Sequence, residues 1–190
     1  MEKLTSSDAS DALLELGSLG LLPGIHRVAT SKSIAGRAVT LYIVKGNKSG
    51  IPLREGIMAA CSKQSEDAIL LIKCGFTDYS IFGSVLGSIA KSRKVGGIIV
   101  DGSVRDVDEL AALELPVFAR TVNPFSKPKE LSVVSVGKIV HINSVSVESG
   151  DLIVADGVVV VPDSLIGKVT QHVSGLKDKD RDFLKSLRHP

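Results

Sequence analysis

Arg105 and Asp106 are adjacent residues whose side chains together could act on a small oxo-acid. A guanidinium binds both oxygens of a carboxylate at once, and a carboxylate offers the hard oxygen that divalent cations prefer. The pair follows an apolar run with a Gly turn, 96–104, and precedes an acidic helix start. The same pattern also fits an ordinary strand, turn and capped helix carrying two surface charges. A second anion-binding element would favour chemistry over that alternative.

A candidate for this second element begins at position 83, where a Gly opens a helix with apolar residues at helical spacing. The first turn of a helix presents N–H groups without acceptors and a partial positive charge, so it can bind a carboxylate or a phosphate. An ordinary Gly-rich helix start is the alternative. The next strand ends at Arg105, and a βα-type layout brings both elements to one edge of a sheet. The residues predicted to bind the anion are Gly83, Ser84, Val85 and Leu86.

Apolar runs predict the strands that must position these residues. In the segment from Ile34 to Val44, apolar residues first alternate with polar ones and then follow one another without interruption. The segments 68–72 and 97–100 are apolar throughout, as in strands covered on both faces. A capped helix ended by Gly is predicted over Ser7–Gly17. Ala9, Ala12, Leu13 and Leu16 should lie on one face of this helix, which we expect on the surface of the domain.

The chain is β-rich after Pro116. Short apolar segments separated by turn residues predict strands over 117–120, 133–136, 138–142, 145–147, 152–155 and 158–161. The last two should pair as a hairpin across Asp156-Gly157, and a helix should follow from Pro162. Alternating charges from about residue 177 predict a solvated helical tail. We expect 190 residues to form one domain, 1–190, since no linker or repeat divides them.

Composition disfavours nucleic acids and membranes as partners. Lys and Arg total 23 against 21 Asp and Glu, and the chain has five Phe, two Tyr and no Trp, so neither a basic surface nor stacking platforms are expected. No apolar run could cross a bilayer and no signal peptide is apparent, which predicts a cytoplasmic protein. Cys61 and Cys74 lack the spacing of a zinc site and are expected to be buried, reduced thiols.

Four segments together resemble the RraA-like family. They are Gly83-Ser84-Val85-Leu86, the run from Gly97 to Leu110, Pro116 to Arg120 with Asn123-Pro124, and Gly150 to Pro162. Ser10 to Leu13 also fits, so the resemblance extends from the first helix to Pro162. This family includes regulator of ribonuclease E activity A and metal-dependent 4-hydroxy-4-methyl-2-oxoglutarate/4-carboxy-4-hydroxy-2-oxoadipate aldolases.

The resemblance implies a layered α/β sandwich of the swivelling β/β/α type, assembled as a homotrimer or a homohexamer. In the aldolases, the loop that matches 83–86 binds the pyruvyl carboxylate. The residue that matches Arg105 binds the substrate carboxylate and keto oxygen and is catalytic, and the residue that matches Asp106 holds Mg²⁺ or Mn²⁺. The implied activity is therefore a divalent-metal-dependent lyase acting on small 2-oxo acids, by retro-aldol cleavage or by decarboxylation of oxaloacetate.

Ser84 departs from the aldolase pattern, because the active aldolases carry an acidic residue at that position. Its absence removes an outer partner of the metal site, and such losses weaken affinity or activity about ten- to hundredfold. Two further hypotheses stay open: a regulator that binds a ribonuclease or another protein, and a silent family member that binds a 2-oxo acid. The retained Arg105-Asp106 pair favours a small-molecule site over the regulator.

Other titratable residues receive no catalytic role from the sequence. Asp101, Asp108 and Glu109 could support the metal site, although stabilisation of a helix start is favoured for them. The four histidines, His26, His141, His172 and His189, are scattered without ligand spacing and are expected to be structural or exposed.

Overall fold

The computed structural model describes residues 4–46, 49–62 and 68–175. Its helices are α1 (Ser6–Glu15), α2 (Leu53–Ser62), α3 (Ser84–Ser92) and α4 (Val107–Ala112), and residues 166–175 are also helical. Its strands are β1 (His26–Ala29), β2 (Ile34–Lys45), β3 (Ile51–Pro52), β4 (Ile69–Phe82), β5 (Gly97–Val104), β6 (Val117–Val122), β7 (Leu131–Val136), β8 (Val140–Ile142), β9 (Val145–Val147), β10 (Leu152–Ala155) and β11 (Val158–Val161). Two single 3₁₀ turns lie at Pro128–Glu130 and Asp163–Leu165.

The main sheet has the strand order β1-β6-β5-β4-β2-β10-β11. Its centre is parallel, because β2, β4, β5 and β6 run in one direction, while β1 and β10 pair antiparallel at either side. β7 pairs antiparallel with the end of β2 and also with β3. β8 and β9 form a separate hairpin. The parallel arrangement places the carboxyl ends of β4 and β5 side by side.

Three layers of apolar side chains hold the molecule together. Helices α2, α3 and α4 pack on one face of the parallel strands, through residues such as Ile57, Ala90 and Leu110. The other face is covered by the β8–β9 hairpin and by β10 and β11. α1 and the helix at 166–175 pack on the outer side of β10 and β11. The predicted mixed α/β fold of β/β/α type is confirmed.

Most predicted strands are present, and the continuous apolar runs are the most informative. Every residue of β5 is buried, as expected for a strand covered on both faces. The predicted hairpin of β10 and β11 is confirmed by pairing from Leu152↔Val161 to Ala155↔Val158. β4 is much longer than its apolar run, because it continues past Ile72 through three register shifts that carry polar residues out of the core.

α1 begins with a reciprocal cap between Thr5 and Asp8. Ala9, Ala12 and Leu13 are fully buried, whereas Leu16 is 36% exposed because the helix ends at Glu15 and Leu16 lies in the turn that follows. The helix expected after Pro162 is present, whereas the charged tail from about 177 lies outside the described residues. Within the described ranges, no helix combines the length and apolarity needed to span a membrane.

Candidate active site at the ends of β4 and β5

The first residue after β5 is tied to the last residue of β4. The Arg105 backbone N–H donates to the Phe82 carbonyl at 2.9 Å, which continues the parallel ladder by one step. Gly83 then caps α3 in an extended conformation, and Ser84 is the first helical residue. The start of α3 and the Arg105-Asp106 pair therefore lie at one edge of the sheet, as the sequence predicts.

Asp106 turns its carboxylate toward α3. Its backbone is left-handed, with φ 55° and ψ 45°, a conformation in which Asp is one of the few non-Gly residues found. Its Oδ2 atom accepts from the Ser84 N–H at 3.1 Å and from the Ser84 hydroxyl at 3.0 Å. The carboxylate thus satisfies a first-turn N–H group of α3 and lies at the positive end of that helix. Asp106 is the N-cap residue of α4 and also supports α3.

Gly83 is required by this close approach. A Cβ atom at position 83 would lie 2.6 Å from Asp106 Oδ2 and 3.0 Å from Arg105 Cγ. Four residues on, a Cβ at Gly87 would lie 2.4 Å from Leu110 Cδ2, so α3 and α4 also touch there. The two glycines let the helix start lie directly against the Arg105-Asp106 pair.

These residues line one cavity of about 380 Å³. Gly83, Val85, Leu86, Arg105 and Asp106 all contribute to its wall. Ser84 supports the wall through Asp106. Arg105 Nε lies 3.6 Å from Asp106 Oδ2, and the two side chains are 43% and 31% exposed, so both can meet a ligand. The predicted convergence of the start of α3 with the Arg105-Asp106 pair is observed, and the anion-binding, catalytic and metal-binding roles of the individual residues stay predictions.

Four further polar residues of the cavity wall were not predicted from the sequence. Arg54 comes from the first turn of α2, Ser80 from the end of β4, and Ser126 and Lys129 from the segment between β6 and β7. The sequence did contain one indication for Arg54, because a cation in the first turn of a helix is electrostatically unfavourable and therefore suggests a role in binding. Lys129 stands in a Lys-Pro-Lys turn that follows the Asn123-Pro124 motif.

Asp101 does not act at a helix start, so that hypothesis is wrong for this residue. It is 1% exposed within β5 and pairs with Lys73 at 2.9 Å and with Arg120 at 2.5 Å. Asp108 and Glu109 do lie in the first turn of α4, as favoured. Neither lines the cavity. The carboxylate that the cavity wall presents is therefore that of Asp106.

The histidines and thiols lie apart from this cavity. His141 contacts Ser146 at 3.0 Å and His172 contacts Glu15, while His189 lies outside the described residues. Both cysteines are free, with Cys61 buried and Cys74 partly buried. Burial raises the pKa of each thiol to about 11, so neither is a ready nucleophile near neutral pH.

The donor set at Asp106 suits magnesium better than zinc. Across residues 4–46, 49–62 and 68–175, no three His, Cys, Asp or Glu side chains come together to hold a metal. Asp106 Oδ2 is occupied by Ser84, which leaves Oδ1 as the carboxylate oxygen for a cation. Mg²⁺ is commonly held by one or two carboxylates with waters and substrate oxygens, and Asp106 is exposed enough to allow this. The residues present therefore fit a weakly held magnesium or manganese ion.

Comparison with known proteins agrees with this geometry. Residues 6–160 match the family described as RraA-like, Aldolase/RraA. The chain belongs to the RraA-like family. An uncharacterized protein of Methanocaldococcus jannaschii is 36% identical to this chain. The alignment covers 60% of this chain and only 55% of the length of that relative.

A Halalkalibacterium halodurans relative, named "Putative 4-hydroxy-4-methyl-2-oxoglutarate aldolase", is 28% identical, and the alignment covers 82% of this chain and 70% of the relative.

A solved RraA-like structure has the same fold. Streptomyces coelicolor RraAS2, described as an unusual member of the RNase ES inhibitor RraA protein family, superposes with a TM-score of 0.80 at 25% identity. The superposition covers 97% of this chain and 93% of RraAS2. The family therefore contains proteins named for an aldolase activity and proteins named for ribonuclease inhibition, so membership alone does not assign the activity.

Proposed function

We propose that this RraA-like protein is a divalent-metal-dependent lyase for small 2-oxo acids. Its reactions would be retro-aldol cleavage of 4-hydroxy-2-oxo diacids to pyruvate, decarboxylation of oxaloacetate, or both. The observation that carries the proposal is the single cavity in which Arg105, Asp106 and the start of α3 meet. A protein that used this surface only to bind another protein would not need a forked cation, a carboxylate and free helix N–H groups in one pocket.

The substrate carboxylate would bind at the start of α3. Ser84 N–H is already bonded to Asp106, so the N–H groups of Val85 and Leu86, in the same first turn, are the donors left for an anion. Arg105 would then bind the 2-oxo group and the carboxylate together through its planar guanidinium. This arrangement would orient the C3–C4 bond of the substrate within the cavity.

Bond cleavage leaves an electron pair on C3, which delocalises onto the 2-oxo oxygen as an enolate. Arg105 would stabilise that oxyanion, and removal of such a donor lowers kcat by about a hundred- to a thousandfold. A divalent cation at Asp106 would supply Lewis-acid stabilisation of the same charge. In retro-aldol cleavage the C4 hydroxyl gives its proton to solvent water and C4 becomes the carbonyl carbon of the second product, whereas in decarboxylation C4 leaves as CO₂. A proton then adds to C3 to give pyruvate.

A panel of 2-oxo acids tests the proposal, with pyruvate release measured with and without Mg²⁺ or Mn²⁺. Oxaloacetate and 4-hydroxy-4-methyl-2-oxoglutarate are the first two substrates to assay. We expect metal-dependent release from at least one of them, and an R105K variant that folds normally but is about a hundredfold slower. R93K is the matched control, because Arg93 lies at the far end of α3, outside the cavity. Absence of turnover on every compound would overturn the proposal.

The second candidate is a regulator that binds a ribonuclease. The likeness to RraAS2, described as an unusual member of the RNase ES inhibitor RraA protein family, favours it. If the panel yields no turnover, direct titration of a ribonuclease E-type enzyme tests this function.

We further propose a cytoplasmic homotrimer or homohexamer, as the family resemblance implies. Exposed apolar side chains next to the cavity support an assembly: Val85 is 54% exposed, Phe125 52% and Ile51 46%. Light scattering coupled to gel filtration measures the mass.

A further inference from the structure

Residues 123–130 form one side of the cavity although they contain little regular structure. Ser126, Pro128 and Lys129 line the cavity, and the single 3₁₀ turn at Pro128–Glu130 is the regular element of the segment. Loops of this kind have few backbone hydrogen bonds of their own and open more easily than helices and strands. The segment can therefore form a defined wall only where neighbouring elements hold it.

The second half of β4 holds this segment. Over residues 73–82, β4 shifts its register against β5 three times, and such irregularities bend a strand away from its ladder. The Ser80 N–H donates to the Phe125 carbonyl at 2.7 Å, and the Ser80 carbonyl accepts from Ser126 Oγ at 2.9 Å. The irregular half of β4, which the apolar pattern of the sequence does not predict, is thus the support of the 123–130 segment.

Tyr79 contacts the segment near both of its ends. Its ring meets the ring of Phe125 edge to face, with the centroids 5.5 Å apart and an angle of 65° between the planes. Its hydroxyl donates to Glu130 Oε2 at 3.2 Å. The two contacts lie on either side of the residues that line the cavity, so one side chain fixes the segment before and after them.

Two lysines complete the contacts of the Tyr79 ring. Lys127 Nζ, in the segment, lies 5.4 Å from the ring centroid, and Lys45 Nζ, in β2, lies 4.7 Å from it. A carboxylate holds each ammonium group, since Lys45 pairs with Asp78 at 2.5 Å and Lys127 with Glu130 at 3.4 Å. A cation near an aromatic ring is attracted by the ring quadrupole, so this ring links β2 and β4 to the segment.

We propose that Tyr79 is a positioning residue for the cavity, which acts by fixing the 123–130 segment against β4. Tyr79 does not itself line the cavity, so it acts on a ligand only through the wall that it holds. Its loss should weaken substrate binding and leave the chemical step at Arg105 intact. This kinetic consequence rests on the proposed lyase function, whereas the attachment of the segment can be measured without a substrate.

Hydrogen exchange followed by mass spectrometry measures the attachment. In Y79A, peptides that cover 123–130 should exchange about tenfold or more faster than in the wild type, while peptides of β5 keep the wild-type rate. Y79F keeps the ring and loses only the hydroxyl contacts, so it should restore most of the protection. Y42A is the matched control, because Tyr42 is the other tyrosine of the chain, is 38% exposed in β2 and lies outside the cavity. Its 123–130 peptides should exchange as in the wild type.

F125A removes the same ring contact from the side of the segment. Phe125 is 52% exposed, so its substitution leaves the core intact and provides a second variant in case Y79A does not fold. The 123–130 peptides of F125A should also exchange about tenfold faster than those of the wild type.

Oxaloacetate kinetics measure the effect on the cavity. In Y79A and F125A we expect KM to rise about tenfold, with kcat within about twofold of the wild-type value, because binding is lost and the reacting groups are unchanged. Y79F and Y42A should keep KM within about twofold of the wild-type value. A structural defect of the whole enzyme would instead lower kcat and would not be rescued by Y79F.

Four results would contradict the positioning role. They are wild-type exchange of 123–130 in both Y79A and F125A, faster exchange spread evenly over the chain, an unchanged KM despite detachment of the segment, and a fall of kcat at constant KM. If wild-type protein releases no pyruvate from any 2-oxo acid, the proposed lyase function fails. The exchange rates then still decide whether Tyr79 holds the wall.

Discussion

Ser84 donates two hydrogen bonds to the same oxygen of Asp106, at 3.1 Å from its backbone N–H and at 3.0 Å from its hydroxyl. Ser84, which stands where the active aldolases carry an acidic residue, therefore contacts the Asp106 carboxylate directly. It holds the carboxylate that we expect to bind the metal. Asp106 Oδ2 is engaged by the protein, and a cation must use the other oxygen or displace Ser84.

S84D would place a second carboxylate beside Asp106. We expect higher activity on 4-hydroxy-2-oxo diacids, because the added carboxylate supplies the missing outer partner of the metal, with a smaller change in oxaloacetate decarboxylation. Without metal the two carboxylates repel each other, so the melting temperature should fall and should recover with Mn²⁺. Parallel kinetics on both substrates and thermal melts with and without Mn²⁺ measure these effects.

S84N is the uncharged control for this substitution. Equal changes in both activities for S84D, or a loss of both, would show that position 84 does not separate this protein from the aldolases.

Substitutions of Asp106 should separate its structural role from its ligand role. D106A removes the acceptor of two bonds at the start of α3 and should lower the free energy of unfolding by about 1–2 kcal/mol. D106N keeps an oxygen acceptor and should lose less stability. Both variants should lose metal-dependent activity and bind Mn²⁺ more weakly. Denaturant unfolding measures the change in stability, and titration calorimetry measures the Mn²⁺ affinity. Wild-type Mn²⁺ affinity in D106N would move the metal site elsewhere.

G83A tests whether the close approach of α3 to Asp106 is required. The added methyl group would lie 2.6 Å from Asp106 Oδ2, so the carboxylate must move. We expect a loss of about 1–3 kcal/mol in unfolding free energy and a severe loss of activity.

G167A is the matched control for G83A, since a Cβ at Gly167 meets no atom within 4 Å. Because Ala favours a helix over Gly, this variant should be neutral or slightly more stable. Equal stability and activity of G83A and the wild type would show that the Asp106 contact tolerates displacement.

Cys61 should make stability depend on alkaline pH. Burial holds the pKa of its thiol at about 11 in the folded chain, against an ordinary value of 9.0. The unfolded chain therefore releases the proton first, so the contribution is fully present below pH 9 and is lost as pH rises toward 11. We expect the free energy of unfolding to fall by about 1–3 kcal/mol more in the wild type than in C61A over this interval. Parallel slopes for the two proteins would exclude this contribution.

The sequence predicts the framework of the site because its signals are local. A continuous apolar run is enough to place β5, and Gly83 followed by apolar residues at helical spacing is enough to place α3. The approach of Ser84 to Asp106 could not be predicted, since it depends on a left-handed backbone at a non-Gly residue, φ 55°. Asp is one of the few non-Gly residues found in that conformation, but the residue type alone does not require it.

The unpredicted cations lie far from the Arg105-Asp106 pair along the chain. Arg54 precedes it by 51 positions and Lys129 follows it by 23, counting from Arg105 and Asp106 respectively. Only the strand order brings α2 and the 126–129 turn to the same edge of the sheet as β5. Periodicity identifies elements but contains no information about which of them share a cavity.

The position of β2 in the sheet affects the stability of this site. Its first residues pair with β10 and its later ones with β4 and β7, and its side chains belong to the apolar layers on both faces of the parallel strands. Because one strand of 12 residues is shared, we expect these two layers to unfold together as one cooperative unit. The edge that carries Arg105 and the start of α3 is therefore held by the stability of the whole molecule and keeps its geometry before any ligand arrives.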